Sequence, residues 1–126
     1  QILEKKNKIN ISLFEAIEKF DSGRIFLKDH VILKGDELYN EIRYRQVKVI
    51  FKMINSFLKK YPNVSSKKQI GKSTFYKKRY PKDSKLNINT SIKKQFNKMR
   101  IANNEKWPNF FYYKNKKFII KIFKSK

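Results

Sequence analysis

Gly71-Lys-Ser-Thr74 carries the residue types that end a phosphate-cradling loop: a glycine for the bend, a lysine for phosphate and hydroxyls for a bound magnesium ion. Such a loop needs another glycine five residues before Gly71, and that position is Ser66. Nucleotide hydrolysis is therefore not expected. His30 is the only histidine, it sits between apolar neighbours, and the chain has no cysteine. A lone imidazole with scattered carboxylates makes neither a zinc site nor an activated nucleophile. Asp83-Ser-Lys85 has a nuclease-like carboxylate–lysine spacing. After residue 42, however, Glu105 is the only other acid, so two-metal chemistry would lack ligands. These residues lead to the expectation of a chain that is not an enzyme, with no catalytic residue, no metal, no cofactor and no small-molecule substrate.

What the residues offer instead is charge. The formal net charge is +22. Residues 1–41 hold seven Lys/Arg and eight Asp/Glu, whereas residues 42–126 hold 25 Lys/Arg against Asp83 and Glu105. A globular segment this basic repels itself unless anions neutralise it. Three clusters could meet phosphates. The first is Lys67, Lys68, Lys72, Ser73, Thr74, Tyr76, Lys77, Lys78 and Arg79. The second is Lys93, Lys94, Asn97, Lys98 and Arg100. The third is Lys114, Lys116 and Lys117. The plain alternative for each is a solvated lysine face. Six to eight phosphate contacts would make binding fall with salt at a log–log slope of about 5 to 7.

The elements that would have to position these residues read as mainly α. Ser12-Leu-Phe-Glu15 is a capping box, and Leu13, Phe14, Ile17 and Phe20 follow at helical spacing up to Gly23. Residues 24–33 are rich in β-formers and fit a short strand or an anchored loop. Val47, Ile50, Phe51, Ile54, Phe57 and Leu58 predict a core helix over 37–60, ended by Pro62. Ser66 to Gln69 repeats the capping-box pattern. A bend at Gly71 and a second helix to Tyr80 would then complete a tight helix-turn-helix over 64–80. Thr90 or Ser91 caps a further helix with Ile92, Phe96 and Met99 on one face. Phe110 to Tyr113 and Lys117 to Phe123 predict a C-terminal β-hairpin turning at Asn115. Residues 1–35 are expected as an N-terminal extension packed on a basic domain of residues 36–126.

The 40% hydrophobic content argues against full disorder, and no apolar run approaches the length of a membrane span. No membrane partner is expected. Gln1 is not a start methionine, so the chain is expected to be a trimmed piece whose upstream targeting signal is invisible.

The segment from Arg45 to Trp107 resembles a homeodomain-like helix-turn-helix. Phe57-Leu-Lys-Lys-Tyr-Pro62 is similar to the end of that family's first helix, and Ile92-Lys-Lys-Gln-Phe96 with Arg100 is similar to its third. Gln95 stands where the family has tryptophan, and Lys98 where it has the adenine-reading asparagine, with Asn97 one place early. The tight motif at 64–80 is similar to resolvase- and transposase-type turns. Trp107-Pro-Asn-Phe110 falls short of the adenine methyltransferase signature, lacking its second proline and leading acid or amide. Yet a small, Lys/Asn/Ile-rich, homeobox-like chain without catalytic residues resembles the DNA-binding accessory subunits of protist DNA N6-adenine methyltransferase complexes. The resemblance implies a nuclear protein that holds duplex DNA for a partner enzyme, docked through its N-terminal part. Two alternatives stay open: an RNA-binding ribonucleoprotein component, with Trp107, Phe110, Phe111, Tyr112 and Tyr113 stacking on bases, and a protein–protein adaptor.

Overall fold

The computed structural model describes residues 1–18, 22–70 and 76–125. Among these residues it is an α/β chain of four antiparallel strands and two α-helices: β1 (Lys8–Phe14), β2 (Ile25–Ile32), α1 (Tyr39–Lys60), α2 (Ile92–Arg100), β3 (Asn109–Tyr113) and β4 (Lys116–Ile120). The strands form two separate two-stranded sheets, β1-β2 and β3-β4. This overturns the expectation of a mainly α, helix-turn-helix core. The chain divides into two compact units, one of residues 1–7, 33–43 and 76–126, the other of residues 8–32 and 44–75.

In the unit of residues 8–32 and 44–75, β1 pairs with β2 so that Ile9 faces Val31 and Leu13 faces Leu27. Residues 8–14 alternate Lys, Ile, Asn, Ile, Ser, Leu, Phe, the two-residue period of a strand with one apolar face. That pairing overrides the local capping box at Ser12, so the helix expected from Leu13 does not start there. Phe20 lies outside the described residues. Gly23 is required by close approach rather than by a helix stop. A Cβ placed there would lie 1.9 Å from the Glu15 carbonyl oxygen. The 44–60 portion of α1 buries Met53 and sets Phe57 edge-on to Phe26, ring centroids 5.1 Å apart. Lys52 Nζ pairs with Asp29 at 3.0 Å.

Of the tight helix-turn-helix expected at 64–80, residues 71–75 lie outside the described residues, and with them Lys72, Ser73 and Thr74. The described remainder is not helical. Its first half is committed to β2 instead. The backbones of Ile25 and Lys67 exchange two hydrogen bonds of 2.7 and 2.8 Å. Arg24 Nε donates to Ser66 Oγ at 2.8 Å, and Gln69 Nε2 donates to the Gly23 carbonyl at 2.8 Å. Chain held this way cannot also form helical i→i−4 bonds.

In the unit of residues 1–7, 33–43 and 76–126, the buried apolar residues are Leu33, Ile42, Leu86, Met99, Ala102 and Phe110. α2 begins at Ser91, whose hydroxyl accepts from the Lys94 amide. β3 and β4 form a hairpin in register Phe111 to Phe118, closed by Lys114 and Asn115 at φ 45° and 60°. The Leu86 amide donates to the Phe110 carbonyl at 2.7 Å, tying the chain after residue 84 to β3. α2 is the element that the homeodomain resemblance took as its DNA-reading third helix. Its final arginine, Arg100, is 0% exposed and cannot reach a groove.

Candidate functional site

The site begins with Tyr80-Pro-Lys-Asp-Ser-Lys85. Pro81 opens a single 3-10 turn over Pro81–Ser84, and the Asp83 carboxylate accepts from the Tyr80 amide at 2.7 Å. Ser84 is buried, and its hydroxyl reaches the Trp107 carbonyl at 3.5 Å. In a turn with three residues per repeat, positions three apart lie on one side. Lys82 and Lys85 therefore leave the turn together, both exposed.

Two further elements complete a groove of about 610 Å³. From α2, Lys98 Nζ donates to the Lys85 carbonyl at 3.1 Å. From β3, the Tyr112 ring lies 5.2 Å below Lys85 Nζ. Lys78 and Lys82 stand 5.8 and 5.9 Å from the Tyr80 ring centroid. The floor segment is fixed by Gln95, which accepts from the Asn87 amide at 3.0 Å and donates to the Asn87 and Thr90 carbonyls at 3.1 and 3.2 Å.

The groove sets three ammonium groups against one carboxylate, Asp83, which accepts from the Tyr80 amide and keeps its charge. Among the described residues, Lys82, Lys85 and Lys98 make no ion pair. Three ammonium groups beside an aromatic face suit an anion carried on a ring-bearing ligand, by charge attraction and by stacking.

Behind the groove the same unit holds a buried polar knot. Arg100 and Glu37 are 0% and 1% exposed and meet at 3.5 Å. The Glu37 carboxylate also accepts from the Lys34 and Gly35 amides at 2.8 and 3.0 Å. Arg100 donates to Asn7 Oδ1 at 3.2 Å, and Asn109 Nδ2 donates to the Met99 carbonyl at 3.2 Å. Nearby, Leu38, Tyr39, Asn104 and Phe123 line a cavity of about 420 Å³ together with Glu41 and Lys124. The Leu38 amide, and after it the Lys124 ammonium, hold the Glu41 carboxyl below its usual range. Among the described residues no three His, Cys, Asp or Glu side chains gather to hold a metal ion.

The structure scatters the sequence-predicted site residues. Lys98 lines the groove, with Lys78 and Tyr80 at its approach. Arg79 lines a separate recess of about 280 Å³ with Tyr39 and Trp107. Lys93 and Lys94 are exposed on α2, and Asn97 is half-buried. Lys114, Lys116 and Lys117 sit at the hairpin, where Lys114 covers Tyr113 and Lys117 covers Phe110. Tyr76 bonds Glu4 at 3.4 Å. Lys67 and Lys68 belong to the other unit. Lys82 was not singled out in the sequence, Lys85 was weighed there only beside Asp83, and Gln95 only as standing in the homeodomain tryptophan position.

No protein-family model matches the chain, and no curated protein does. Solved structures do. Methionyl-tRNA formyltransferase from Clostridium thermocellum superposes at a TM-score of 0.78 with 26% identity, over 92% of this chain and 50% of that one. A Mycobacterium tuberculosis protein for which sugar N-formyltransferase activity is inferred gives 0.77 with 12% identity, over 96% of this chain and 55% of that one. A 4-N formyltransferase from Francisella tularensis gives 0.69 with 15% identity, over 99% of this chain and 54% of that one. The chain thus spans about half the length of the solved structures it matches. These likenesses overturn the homeodomain-like reading and the non-catalytic DNA-binding accessory subunit. They also contradict the expectation of a chain that is not an enzyme, since its fold is related to that of enzymes. Neither the ribonucleoprotein nor the adaptor alternative gains support from them.

Proposed function

We propose that this chain supplies part of an N-formyltransferase, the part that holds the phosphate-bearing carrier of the amine acceptor. The observation that carries the reading is the superposition on the Clostridium thermocellum enzyme over 92% of the chain. The names of the three neighbours converge on formyl transfer, to methionyl-tRNA in one case and to nitrogen in the others. In such a transfer a neutral amine attacks the formyl carbon, the new nitrogen–carbon bond forms, the bond from that carbon to the donor breaks, and one amine proton ends on the departing donor. That step first needs the amine's carrier captured at the site, through contacts that are alike in ground state and transition state. Gripping a remote anion on the acceptor's carrier does this without touching the reacting atoms. Lys82, Lys85 and Lys98 are suited to that grip, and Tyr112 to stacking on a base or sugar ring.

A chimera tests the reading. This chain replaces the stretch it matches in the Clostridium thermocellum enzyme, and formyl transfer is assayed with that enzyme's donor. The acceptor is methionyl-tRNA in one arm and a nucleotide-linked amino sugar in the other. Formylated product in either arm is expected, and the active arm names the carrier. Charge reversal at Lys82, Lys85 and Lys98 together should raise KM by about tenfold or more with kcat little changed, as loss of uniform binding requires. A folded chimera that formylates neither amine overturns the proposal. An active chimera whose KM ignores the three lysines overturns the role given to the groove.

A further inference from the structure

The turn that carries Lys82 and Lys85 also borders a second space, the recess of about 280 Å³ lined by Tyr39, Arg79, Ser84, Lys106 and Trp107. No Asp or Glu lines it. Arg79 is half-buried, and one of its terminal nitrogens donates to the Asp83 carbonyl at 3.3 Å. Among the described residues it has no carboxylate partner. A guanidinium presents five N–H donors in a planar fork, so most of this fork stays unengaged. Lys106 is exposed and likewise makes no ion pair among the described residues. Its neighbour Glu105 is committed to Lys121 at 3.0 Å. The recess is therefore doubly positive. Holding a half-buried cation without an anion is costly, and an anion entering from solvent relieves that cost.

Its walls are aromatic. Trp107 is 44% exposed and Tyr39 is half-buried. The backbone behind the indole is already fixed. The Trp107 amide donates to the Asn103 carbonyl at 3.0 Å, and Asn103 Oδ1 accepts from the Glu105 and Lys106 amides, each at 2.9 Å. The Trp107 carbonyl accepts from the Ser84 hydroxyl. A flat ring stacked on this indole forfeits little backbone freedom. The volume lies just below the usual range of ligand pockets, which limits the ligand to one ring with a short substituent.

We propose that this recess is a ligand site separate from the lysine groove, and that it takes a small aromatic oxyanion, a single ring bearing a carboxylate or a phosphate. The ring lies against Trp107 and Tyr39. The oxyanion meets the Arg79 fork, whose geometry matches carboxylate and phosphate alike, and the Lys106 ammonium adds a second charge. The inference does not rest on the formyltransferase reading and stands if that reading falls.

Trp107 is the only tryptophan, so its indole N–H gives one isolated peak in a proton–nitrogen correlation spectrum of the 126-residue chain. Benzoate and phenyl phosphate are the probes. Acetate, inorganic phosphate and benzyl alcohol supply their parts separately. At least one probe should move the indole peak along a saturating curve, and the tighter of the two names the head group. The separate parts should bind at least about tenfold more weakly, because each meets only half of the recess. Arg79→Gln should weaken the preferred probe about tenfold by removing the charged fork. Lys106→Gln changes an exposed side chain and should weaken it about threefold, which keeps a test in hand if Arg79→Gln fails to fold. Lys82→Gln with Lys85→Gln should leave the affinity within about twofold, as changes at an independent site do. An indole peak that neither probe moves overturns the proposal, and so does a shift that grows without saturating. Acetate or inorganic phosphate acting as strongly as the probes would reduce the effect to attraction by a basic surface and overturn it as well. Equal weakening by the Lys82 and Lys85 changes would put the probe in the groove and end the claim of a separate site.

Discussion

The two units of this chain handle burial in opposite ways. The unit around α2 takes charge inside, closing Arg100 and Glu37 against each other among Leu86, Met99 and Phe110. The unit around the 44–60 stretch of α1 leaves apolar side chains outside, with Phe51 and Leu58 each 61% exposed. Charge is expensive to bury and apolar surface expensive to expose, so each arrangement needs a compensation. The first finds most of it in its own chain, through backbone amides and Asn7, leaving Arg100 Nε and Asn109 Oδ1 buried without a hydrogen-bond partner among the described residues. The second finds none among the described residues. One unit buries charge, and the other keeps apolar side chains facing out.

That contrast is open to attack, most forcefully at the knot. Arg100→Ala leaves Glu37 with its charge and without its guanidinium, and removing one partner of a buried pair costs about 3–5 kcal/mol. Urea unfolding should show that loss. A loss below about 1 kcal/mol would mean that the knot is wet rather than sealed. Next comes Gly23→Ala, which forces a Cβ into the Glu15 carbonyl and should destabilise the hairpin unit by about 1–3 kcal/mol. A neutral result would show that the hairpin can splay, and the two units would differ less in rigidity than in polarity.

Acid gives a smaller effect with a definite sign. Glu41 and Asp29 both have folded-state pKa values held below the ordinary range, Glu41 chiefly by the Leu38 amide and Asp29 chiefly by Lys52. A depressed carboxylate contributes stability that is present above its unfolded pKa and lost as pH falls through the folded one. Urea midpoints taken from pH about 6 down to about 3 should therefore decline. Lys124→Met should shrink the Glu41 share of that decline without abolishing it, since the Leu38 amide remains. Smallest of all is the stability change from Lys85→Glu or Lys98→Glu, expected within about 0.5 kcal/mol because the groove lysines are not part of either core. A larger change would make them structural and would confound any KM effect read from them.

The sequence showed α1 clearly, because its apolar residues recur at helical steps. It did not show which side would be covered. Met53 and Phe51 look equally apolar in a string, and only the partner surface tells them apart. β1 was hidden by a competing signal. The Ser12–Glu15 capping box is worth about 1 kcal/mol locally, and cross-strand pairing of Ile9, Ile11 and Leu13 outweighs it. The stretch from Ser66 to Gln69 misled in the same way, since its bonds to Gly23, Arg24 and Ile25 span more than forty positions of chain. Arg100 looked like a solvent-facing helix end. Its partner Glu37 stands 63 positions earlier, and no local pattern links the two. At the candidate groove, Lys98 was already among the residues expected to meet phosphate. Lys82 and Lys85 were not, because a turn three residues per repeat leaves no amphipathic signature. The excess of lysine led to the expectation of an anionic partner but carried no information about which molecule would bear the charge.

The Gln95 amide has a consequence for timing. By bonding the backbone of Asn87 on both its donor and acceptor sides, it does for that loop what a neighbouring strand would do. The segment from Lys85 to Ile88 is thus frozen when the protein folds, before any ligand arrives. Under the proposed function, a phosphate docking there would meet cations already in place and forfeit little disorder on arrival.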